Sequence, residues 1–411
     1  MVRLDKAVEI NDLRLIAKRR LPVALFNQLD HGSEDDVSYR HNREVFERIK
    51  LIHRILQDVS QRDPSITLFG KKHDLPLIIT PTGITSWISY RGEVSLARAA
   101  AKANIPFTLT STTATPMETV LEEGGGTQWY QAIMWRDLES SLRGVERARD
   151  AGFEALFLTV DSTIPYNRPW DKRQDIKFPL ERVKLGHLFE GVRHPHWALG
   201  TPARYLLKER QLPGMTNTDV PEGMTAAERR AWFVKEDSLD WTFFQRVRDL
   251  WPRTLIIKGI LHPDDAVQAI SAGADAIVVS NHGGATNDSA PSPLEMLPSI
   301  VAAVAGRVPV LVDSGFRRGS DVLKAIALGA DAVMIGRATL YGLAAAGEAG
   351  ASHALSILRD EIRRTMGALG LSDLASIGRD HLLLPGDLDH LSRVAVPWKG
   401  TIAPELDAEL R

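Results

Sequence analysis

The sequence predicts an α/β protein folded as a closed (β/α)8, or TIM, barrel, and three observations support this prediction. Eight short apolar segments follow one another from about residue 75. Amphipathic segments of helical period lie between them. Three of these segments end in Ala-Gly or Leu-Gly, which stops a helix shortly before a strand. Eight similar βα units favour a closed barrel over the alternative, an open doubly wound sheet.

The predicted strands are nearly continuous apolar runs, as a parallel sheet covered on both faces requires. In chain order they span residues 75–80, 106–111, 128–133, 155–161, 254–260, 276–281, 308–314 and 332–337. The helical segments between them include GEVSLARAAAKAN, DLESSLRGVERARDAG, PDDAVQAISAGA and GSDVLKAIALGA. We therefore interpret residues 1–411 as one barrel domain.

Three segments lie outside the repeating pattern. Residues 1–70 contain the 3.6-period stretch KAVEINDLRLIAKRRL and are predicted to form an N-terminal helical cap. Roughly ninety residues separate the fourth strand from the fifth, far more than an ordinary βα loop. They include one helix and an insertion at 181–230, which is either a mobile lid over the C-terminal face or a packed excursion. Residues 380–411 are expected to form a C-terminal tail.

Composition excludes several classes of function. The chain has 44% apolar and 25% charged residues, and a net charge of −2 argues against general nucleic-acid binding, which needs a basic surface. The absence of cysteine excludes disulfides, thiolate catalysis and cysteine–metal sites, and we expect no metal. We find neither a signal peptide nor an apolar run near the ~20 residues that span a bilayer, and we expect a cytoplasmic protein.

Polar residues mark the ends of the predicted strands, where a barrel presents its ligand-binding face. One such residue would be weak evidence, but ten in register are hard to attribute to turns alone. They are Thr82, Thr110, Gln131, Thr159, Asp161, Lys258, Ser280, His282, Asp313 and Arg337.

His282 lies in the stretch VVSNHGGATND, and histidine is the side chain best suited to accept a proton near neutral pH. Asp161 could orient its ring and stabilise the imidazolium. Lys258 ends an apolar strand, where an ammonium needs a partner. It could neutralise part of a bound cofactor such as a flavin, serve as a Schiff-base amine, or pair with an acid. Together these residues predict a catalytic site.

The loops after the last two strands predict a phosphate site, because glycine N–H groups and guanidinium groups bind phosphate and barrels often place it there. A surface arginine pair at tight turns is the alternative. The residues concerned are Gly315, Arg317, Arg318, Gly319, Gly336 and Arg337.

These motifs together resemble the FMN-dependent 2-hydroxy-acid oxidases and dehydrogenases, which include glycolate and lactate oxidases and mandelate dehydrogenase. The resemblance covers nearly the whole chain in order. It is carried by PTGI, YQ, LTVD, IKGI, SNHGG, DSGFRRGSDVLKAIALGADAVMIGRATLYGLA and the N-terminal RRLPVALFNQLDHGSEDDVSYRHNREVF. It implies a barrel that binds FMN and oxidises a small molecule. The electron acceptor could be oxygen, a quinone or a protein.

The resemblance also implies roles for individual residues. His282 would be the base, Asp161 its partner, and Arg168 the arginine that binds a substrate carboxylate. The isoalloxazine and ribityl parts of FMN would contact Thr82, Thr110, Gln131, Thr159, Lys258 and Ser280. The ribityl chain and phosphate would contact Asp313, Arg317, Gly336 and Arg337. The cofactor set further includes Pro81, Gly83, Gly284, Ser314 and Gly315.

Three positions on the substrate side depart from the family pattern. Ala285 replaces an arginine, and Gln28 and Ile133 replace tyrosines. At ~1–3 kcal/mol per polar contact, these losses should weaken small hydroxy acids by roughly several kcal/mol. We therefore expect a flavoenzyme that removes a hydride equivalent from a CH–OH or CH–NH carbon of a substrate larger or less anionic than lactate.

Other interpretations remain open. Arg168 alone could hold an aromatic, mandelate-like 2-hydroxy acid. A flavin-dependent isomerase or a barrel whose catalysis has decayed is also possible, although retention of His282 and Asp161 argues against decay. The basic and aromatic residues of the insertion could form a peripheral membrane patch, against the alternatives of a lid or a subunit contact. We also expect a homotetramer.

Overall fold

The predicted strands form a closed, parallel, eight-stranded barrel in the computed structural model, which describes residues 4–174, 190–220, 224, 228 and 232–386. The eighth strand pairs with the first to close the barrel, with Val333 opposite Leu77 and Ile335 opposite Ile79. The prediction of a (β/α)8 barrel is therefore confirmed. The strands are β1 Leu77–Ile79, β2 Phe107–Thr110, β3 Gln128–Ala132, β4 Ala155–Thr159, β5 Thr254–Ile260, β6 Ala276–Val279, β7 Val310–Val312 and β8 Ala332–Ile335.

A helix of the outer layer follows each strand. Several begin at side chains that satisfy free backbone N–H groups: Asp240 accepts from the N–H of Phe243 at 2.8 Å, and Ser292 and Glu295 form a capping box. The last helix is broken at Ala346 and Gly347, whose backbone angles are not helical. The helices are Gly92–Lys102, Met117–Gly124, Leu138–Ala151, Trp241–Leu250, Pro263–Ser271, Pro293–Val304, Gly319–Ala327 and Arg337–Leu369.

The core has two layers, because successive side chains of a strand point to opposite faces. One set fills the barrel interior, with Ile78, Phe157 and Val278 fully buried there. The other set packs between the sheet and the helices. The N-terminal end of the barrel is closed by a hairpin, Ile66–Leu68 paired with Lys71–His73, which the sequence analysis did not predict.

The N-terminal cap consists mainly of the helices Ile10–Arg20, Val23–Asp30 and Val37–Arg48. The first two are joined by a bidentate ion pair in which Arg14 Nε and Nη2 lie 2.7 and 2.6 Å from the Asp30 carboxylate oxygens. The third packs against the loop after β6, where Asn42 Nδ2 donates to Asn281 Oδ1 at 2.9 Å. The cap is thereby fixed over the C-terminal face of the barrel.

The described part of the insertion contains two short helices, Pro195–Gly200 and Pro202–Lys208. Trp197 Nε1 donates to the carbonyl of Trp87 at 2.7 Å, and the Tyr205 hydroxyl accepts from the N–H of Arg91 at 3.0 Å. These contacts attach this part of the insertion to the segment between β1 and its helix. Much of the predicted 181–230 segment, and the tail from residue 387, lie outside the described residues.

Among the residues that the structure describes, no helix is both long enough and apolar enough to cross a membrane. In the described part of the tail, Leu382–Leu383 pairs antiparallel with Lys50–Leu51.

Candidate active site

A cavity of about 360 Å³ opens at the C-terminal ends of the barrel strands, within the range of about 300–1,000 Å³ usual for ligand pockets. Most of the residues that the sequence predicted for a site line it. They are Pro81, Thr82, Gly83, Thr110, Gln131, Thr159, Lys258, Asp313, Ser314, Gly315, Arg317, Gly336 and Arg337, with Arg168, His282, Gln28, Ile133 and Ala285.

Three predicted site residues, Ser280, Gly284 and Asp161, lie behind the cavity wall, and two residues of the predicted phosphate loops, Arg318 and Gly319, do not line the cavity. Ser280 Oγ accepts a hydrogen bond from Lys258 Nζ at 2.9 Å. Gly284 packs against the cap, where an added Cβ would lie 2.6 Å from the backbone nitrogen of Tyr39. Asp161 supports His282. Ser280 and Asp161 therefore contact residues that line the cavity, and Gly284 lets the cap pack closely against the loop after β6.

His282 and Asp161 form a hydrogen-bonded pair, with 3.1 Å between His282 Nδ1 and Asp161 Oδ1. Burial disfavours the charged carboxylate, but the His282 imidazole and its hydrogen bond, helped by the charge of Lys258, hold the pKa of Asp161 below its ordinary value. Gly259, at φ +116°, lies against this carboxylate, and a Cβ there would come within 2.5 Å of Asp161 Cβ. The pair thus fixes the orientation of the imidazole, with Nε2 on the side away from Asp161.

A phenol that the sequence analysis missed lies on the other side of His282. The Tyr166 hydroxyl is 3.3 Å from His282 Nε2 and 2.7 Å from Ser162 Oγ. Lys235 Nζ contacts the same Ser162 hydroxyl and lies 3.6 Å from the centre of the Tyr166 ring. Burial lowers the pKa of Lys235 to about 8.

The sequence carries a signal for only one of these two residues. Tyr166 lies two residues before Arg168 in the segment after β4, so the neighbouring motif already pointed to it. Lys235 belongs to no motif. Two backbone hydrogen bonds to the segment after β3, one on each side of Lys235, fix its place. The N–H of Arg136 donates to the carbonyl of Val234, and the N–H of Glu236 donates to the carbonyl of Met134.

Lys258 and Asp313 form a buried ion pair at the base of the cavity, with 2.9 Å between Nζ and Oδ2 and side-chain exposures of 3% and 8%. Burial disfavours the ammonium, but Asp313 and Asp161 together raise the pKa of Lys258 above its ordinary value. The lysine therefore stays charged at neutral pH. Of the three possibilities left open for Lys258, pairing with an acid is the one that the geometry displays.

The loops after β7 and β8 meet at one end of the cavity. The helix Arg337–Leu369 begins directly after Gly336, and a helix N-terminus favours a phosphate group. The Arg337 guanidinium donates to the carbonyls of Leu29, His31 and Gly283 at 2.9–3.0 Å, so it also holds the cap on the barrel. Arg337 thus has a structural task besides the expected phosphate contact.

Two observations test whether this cavity fits FMN. Within the described residues, the buried hydroxyls of Thr80 and Thr82 have no hydrogen-bond partner, as expected for groups whose partner is a ligand. Five basic side chains and one carboxylate are among the described lining residues, which suits a ligand carrying a phosphate. The basic residues are Arg168, Lys235, Lys258, Arg317 and Arg337, and the carboxylate is Asp313.

The substrate side of the cavity is mixed. Gln28, Ile133 and Ala285 line it as predicted, together with Trp135 and Met215. These three positions border the cavity, and Tyr166 and Lys235 bring a phenol and an ammonium to a region that the sequence analysis expected to be apolar.

Comparisons with known proteins agree with the fold and the cavity. Residues 17–384 match the FMN-dependent dehydrogenase family. The chain is 37% identical to (S)-mandelate dehydrogenase of Pseudomonas putida over 93% of this chain and 96% of that one. It is 38% identical to L-lactate dehydrogenase of Alcaligenes faecalis over 90% and 97%. The crystal structure of the monotopic membrane protein (S)-mandelate dehydrogenase superposes with a TM-score of 0.84 at 36% identity, covering 92% of this chain and 99% of that one.

The family predicted from the motifs is therefore confirmed. The residues of the cavity fit the cofactor that the family description names. The chain belongs to the FMN-dependent dehydrogenase family and is an FMN-dependent oxidoreductase.

Proposed function

We propose that this enzyme oxidises the hydroxyl-bearing carbon of a 2-hydroxy acid whose side chain is larger and more apolar than that of lactate, with His282 as the base. The observation that carries the proposal is the orientation of His282. Its Nδ1 is engaged by Asp161, while the ring lines the same cavity as Thr80 and Thr82, whose hydroxyls have no partner within the described residues. Bound FMN supplies the hydride acceptor.

The pair with Asp161 prepares His282 for this role. A carboxylate that accepts from Nδ1–H leaves the lone pair on Nε2, which is the atom that must take the hydroxyl proton of the substrate. The carboxylate then stabilises the imidazolium that forms. The pKa of Asp161 lies below its ordinary value, so this support is present throughout the neutral range.

Charge in the cavity favours an acid over an amine. Arg168 and Lys235 both line the substrate side, and two cations there oppose an ammonium substrate but attract a carboxylate. The Arg168 guanidinium lies 4.9 Å from the centre of the Tyr166 ring, and within the described chain its buried Nε has no partner. We therefore favour oxidation of CH–OH over the CH–NH alternative, with Arg168 binding the carboxylate.

The size of the substrate follows from the apolar wall. Ile133 and Ala285 replace a tyrosine and an arginine of the family pattern, and Trp135 and Met215 complete this wall. Ile133, Ala285 and Met215 offer no hydrogen-bond donor to a small hydrophilic acid, whereas all four side chains can pack against a ring. Mandelate is therefore a better probe than lactate.

The test is anaerobic reduction of the bound flavin, followed by the loss of its oxidised absorbance on adding mandelate. His282→Ala should retain FMN but lose ~10²–10⁴-fold in reduction rate. His53→Ala, an exposed histidine before the barrel, is the matched control and should leave the rate unchanged. A His282→Ala enzyme that reduces its flavin at the wild-type rate would remove the base from the proposal. Turnover that requires pre-reduced flavin and produces no net bleaching would instead indicate an isomerase.

We also propose a peripheral membrane contact through the described part of the insertion. Val192, Leu199 and Leu207 are each more than 70% exposed, and Arg204 and Lys208 lie nearby in sequence. Apolar and basic side chains together favour a lipid interface. Flotation with anionic vesicles should carry the enzyme, and Leu199→Glu with Leu207→Glu should release it. Equal flotation of both proteins would exclude this surface.

A further inference from the structure

Four residues form a continuous chain of hydrogen-bonding groups that begins at the proposed base. The Tyr166 hydroxyl contacts His282 Nε2 at 3.3 Å, Ser162 Oγ lies 2.7 Å from that hydroxyl, and Lys235 Nζ contacts Ser162 Oγ. Both inner members are hydroxyls, which can donate and accept at the same time. The chain ends at an amine, which can also exist in two protonation states.

We propose that Tyr166, Ser162 and Lys235 are a proton relay that removes from His282 the proton taken from the substrate. The proposal rests on the proposed function, in which His282 is the base. In the resting state all bonds can point one way, from Lys235 through Ser162 and Tyr166 to the Nε2 lone pair. As His282 takes the substrate proton in the step that reduces the flavin, the chain can work in the opposite direction, so loss of the relay slows flavin reduction itself.

The transfer balances without any further reactant. The Nε2–H bond of the imidazolium breaks and a new O–H bond forms on Tyr166. The original Tyr166 proton passes to Ser162, and the Ser162 proton passes to the neutral amine of Lys235. Neutral histidine and an ammonium result, and both hydroxyls are restored. The half-buried Lys235 borders the cavity and can release the proton there.

The surroundings of Lys235 suit an acceptor that works near neutral pH. Burial has the largest effect on the pKa of Lys235 and lowers it. The charge of Asp161 raises this pKa and that of Arg168 lowers it, and the resulting value is about 8. Tyr166 faces the same ammonium through its ring, and burial raises the pKa of its phenol, so it carries protons as a neutral group. His282 lies at the far end of the chain.

A rival role for Lys235, binding the substrate carboxylate, predicts the opposite dependence on pH. A carboxylate-binding lysine is useful while charged, so substrate binding would weaken as pH rises through about 8. A relay lysine is useful while neutral, so the rate constant for flavin reduction would rise through the same pH. Measuring both quantities therefore separates the two roles.

Ser162→Ala is the decisive variant, because Ser162 is 6% exposed and does not border the cavity. The holoenzyme is mixed anaerobically with several concentrations of mandelate between pH 6 and 10, which gives the limiting reduction rate and the apparent Kd. Wild type should show a rise in the limiting rate near pH 8. Ser162→Ala and Lys235→Met should lose the rise, with rates about tenfold lower above pH 8. This loss is smaller than the ~10²–10⁴-fold cost of losing a base, because cavity water can still accept the proton.

Lys72→Met is the matched control, since Lys72 is an exposed lysine on the hairpin that closes the opposite end of the barrel, and it should keep the rise. A proton inventory in mixed light and heavy water should be curved for wild type and linear for Ser162→Ala. A rise that persists in Ser162→Ala, or one seen in Kd alone, would overturn the relay. If His282→Ala also reduces its flavin normally, the proposed function itself is wrong. If His282→Ala is inactive but Ser162→Ala keeps the wild-type pH profile, only the relay is wrong.

Discussion

Lys258→Met should destabilise the protein by about 3–5 kcal/mol, because it leaves the Asp313 carboxylate buried without its partner. Lys258 and Asp313 are 2.9 Å apart and almost inaccessible, and Lys258 also donates to Ser280 Oγ. Methionine fills much of the same volume, so the loss reports the unpaired charge more than a cavity. At about 2.1 cal/mol/K of unfolding entropy per residue, 411 residues correspond to about 0.9 kcal/mol per degree. The melting temperature should fall by about 3–6 °C.

Thermal melts at pH 7, with and without excess FMN, measure this effect. The pKa of Lys258 is raised in the folded protein, so its contribution is fully present below the ordinary lysine pKa and is lost only in more alkaline solution. Adding Asp313→Asn should recover at least half of the loss, because both charges are then gone. Lys72→Met, which breaks an exposed pair with Asp63 at 3.5 Å, should cost about 1 °C or less. A Lys258→Met protein that melts with the wild type would refute the assignment of a buried, charged pair.

Further expectations concern the site. Asp161→Asn should keep FMN, since Asp161 lies behind the cavity wall. It should slow flavin reduction, measured by stopped flow, by ~10²–10⁴-fold because the correct histidine tautomer is lost. A normal reduction rate would show that another group sets the tautomer. Arg168→Met should raise the Kd of mandelate about 10- to 100-fold while FMN stays bound, and an unchanged Kd would place the carboxylate on another group. The triple variant Gln28→Tyr, Ile133→Tyr, Ala285→Arg should improve lactate about 10- to 100-fold and weaken mandelate, which steady-state kinetics with both acids would check; a gain for both acids would mean that the wall does not select by size.

The regular part of the fold was predictable from local pattern. Continuous apolar strands alternating with amphipathic helices have few alternatives to a barrel, and the observed strands lie within the predicted ranges. The closing hairpin was missed because its strands have three residues each and carry two exposed lysines, so no period-2 pattern could emerge.

Site residues were predictable wherever they follow a strand. Lys258, His282 and Asp313 lie at strand ends, so their convergence follows from the topology. The approach of Lys235 to Tyr166 depends instead on how the segment beyond the insertion pairs with the residues after β3, which no local pattern records. The sequence consequently predicted a less polar substrate side than the structure has.

The most direct test of the central claim is an anaerobic titration of the wild-type holoenzyme with (S)-mandelate and, separately, with L-lactate, following the bleaching of the oxidised flavin. The cavity combines Arg168 with the apolar wall around Ile133 and Ala285. It should therefore give a ratio of reduction rate to Kd at least about tenfold higher for mandelate, corresponding to about 1.4 kcal/mol. If lactate reduces the flavin as efficiently as mandelate, the proposed selection for a large apolar side chain is wrong.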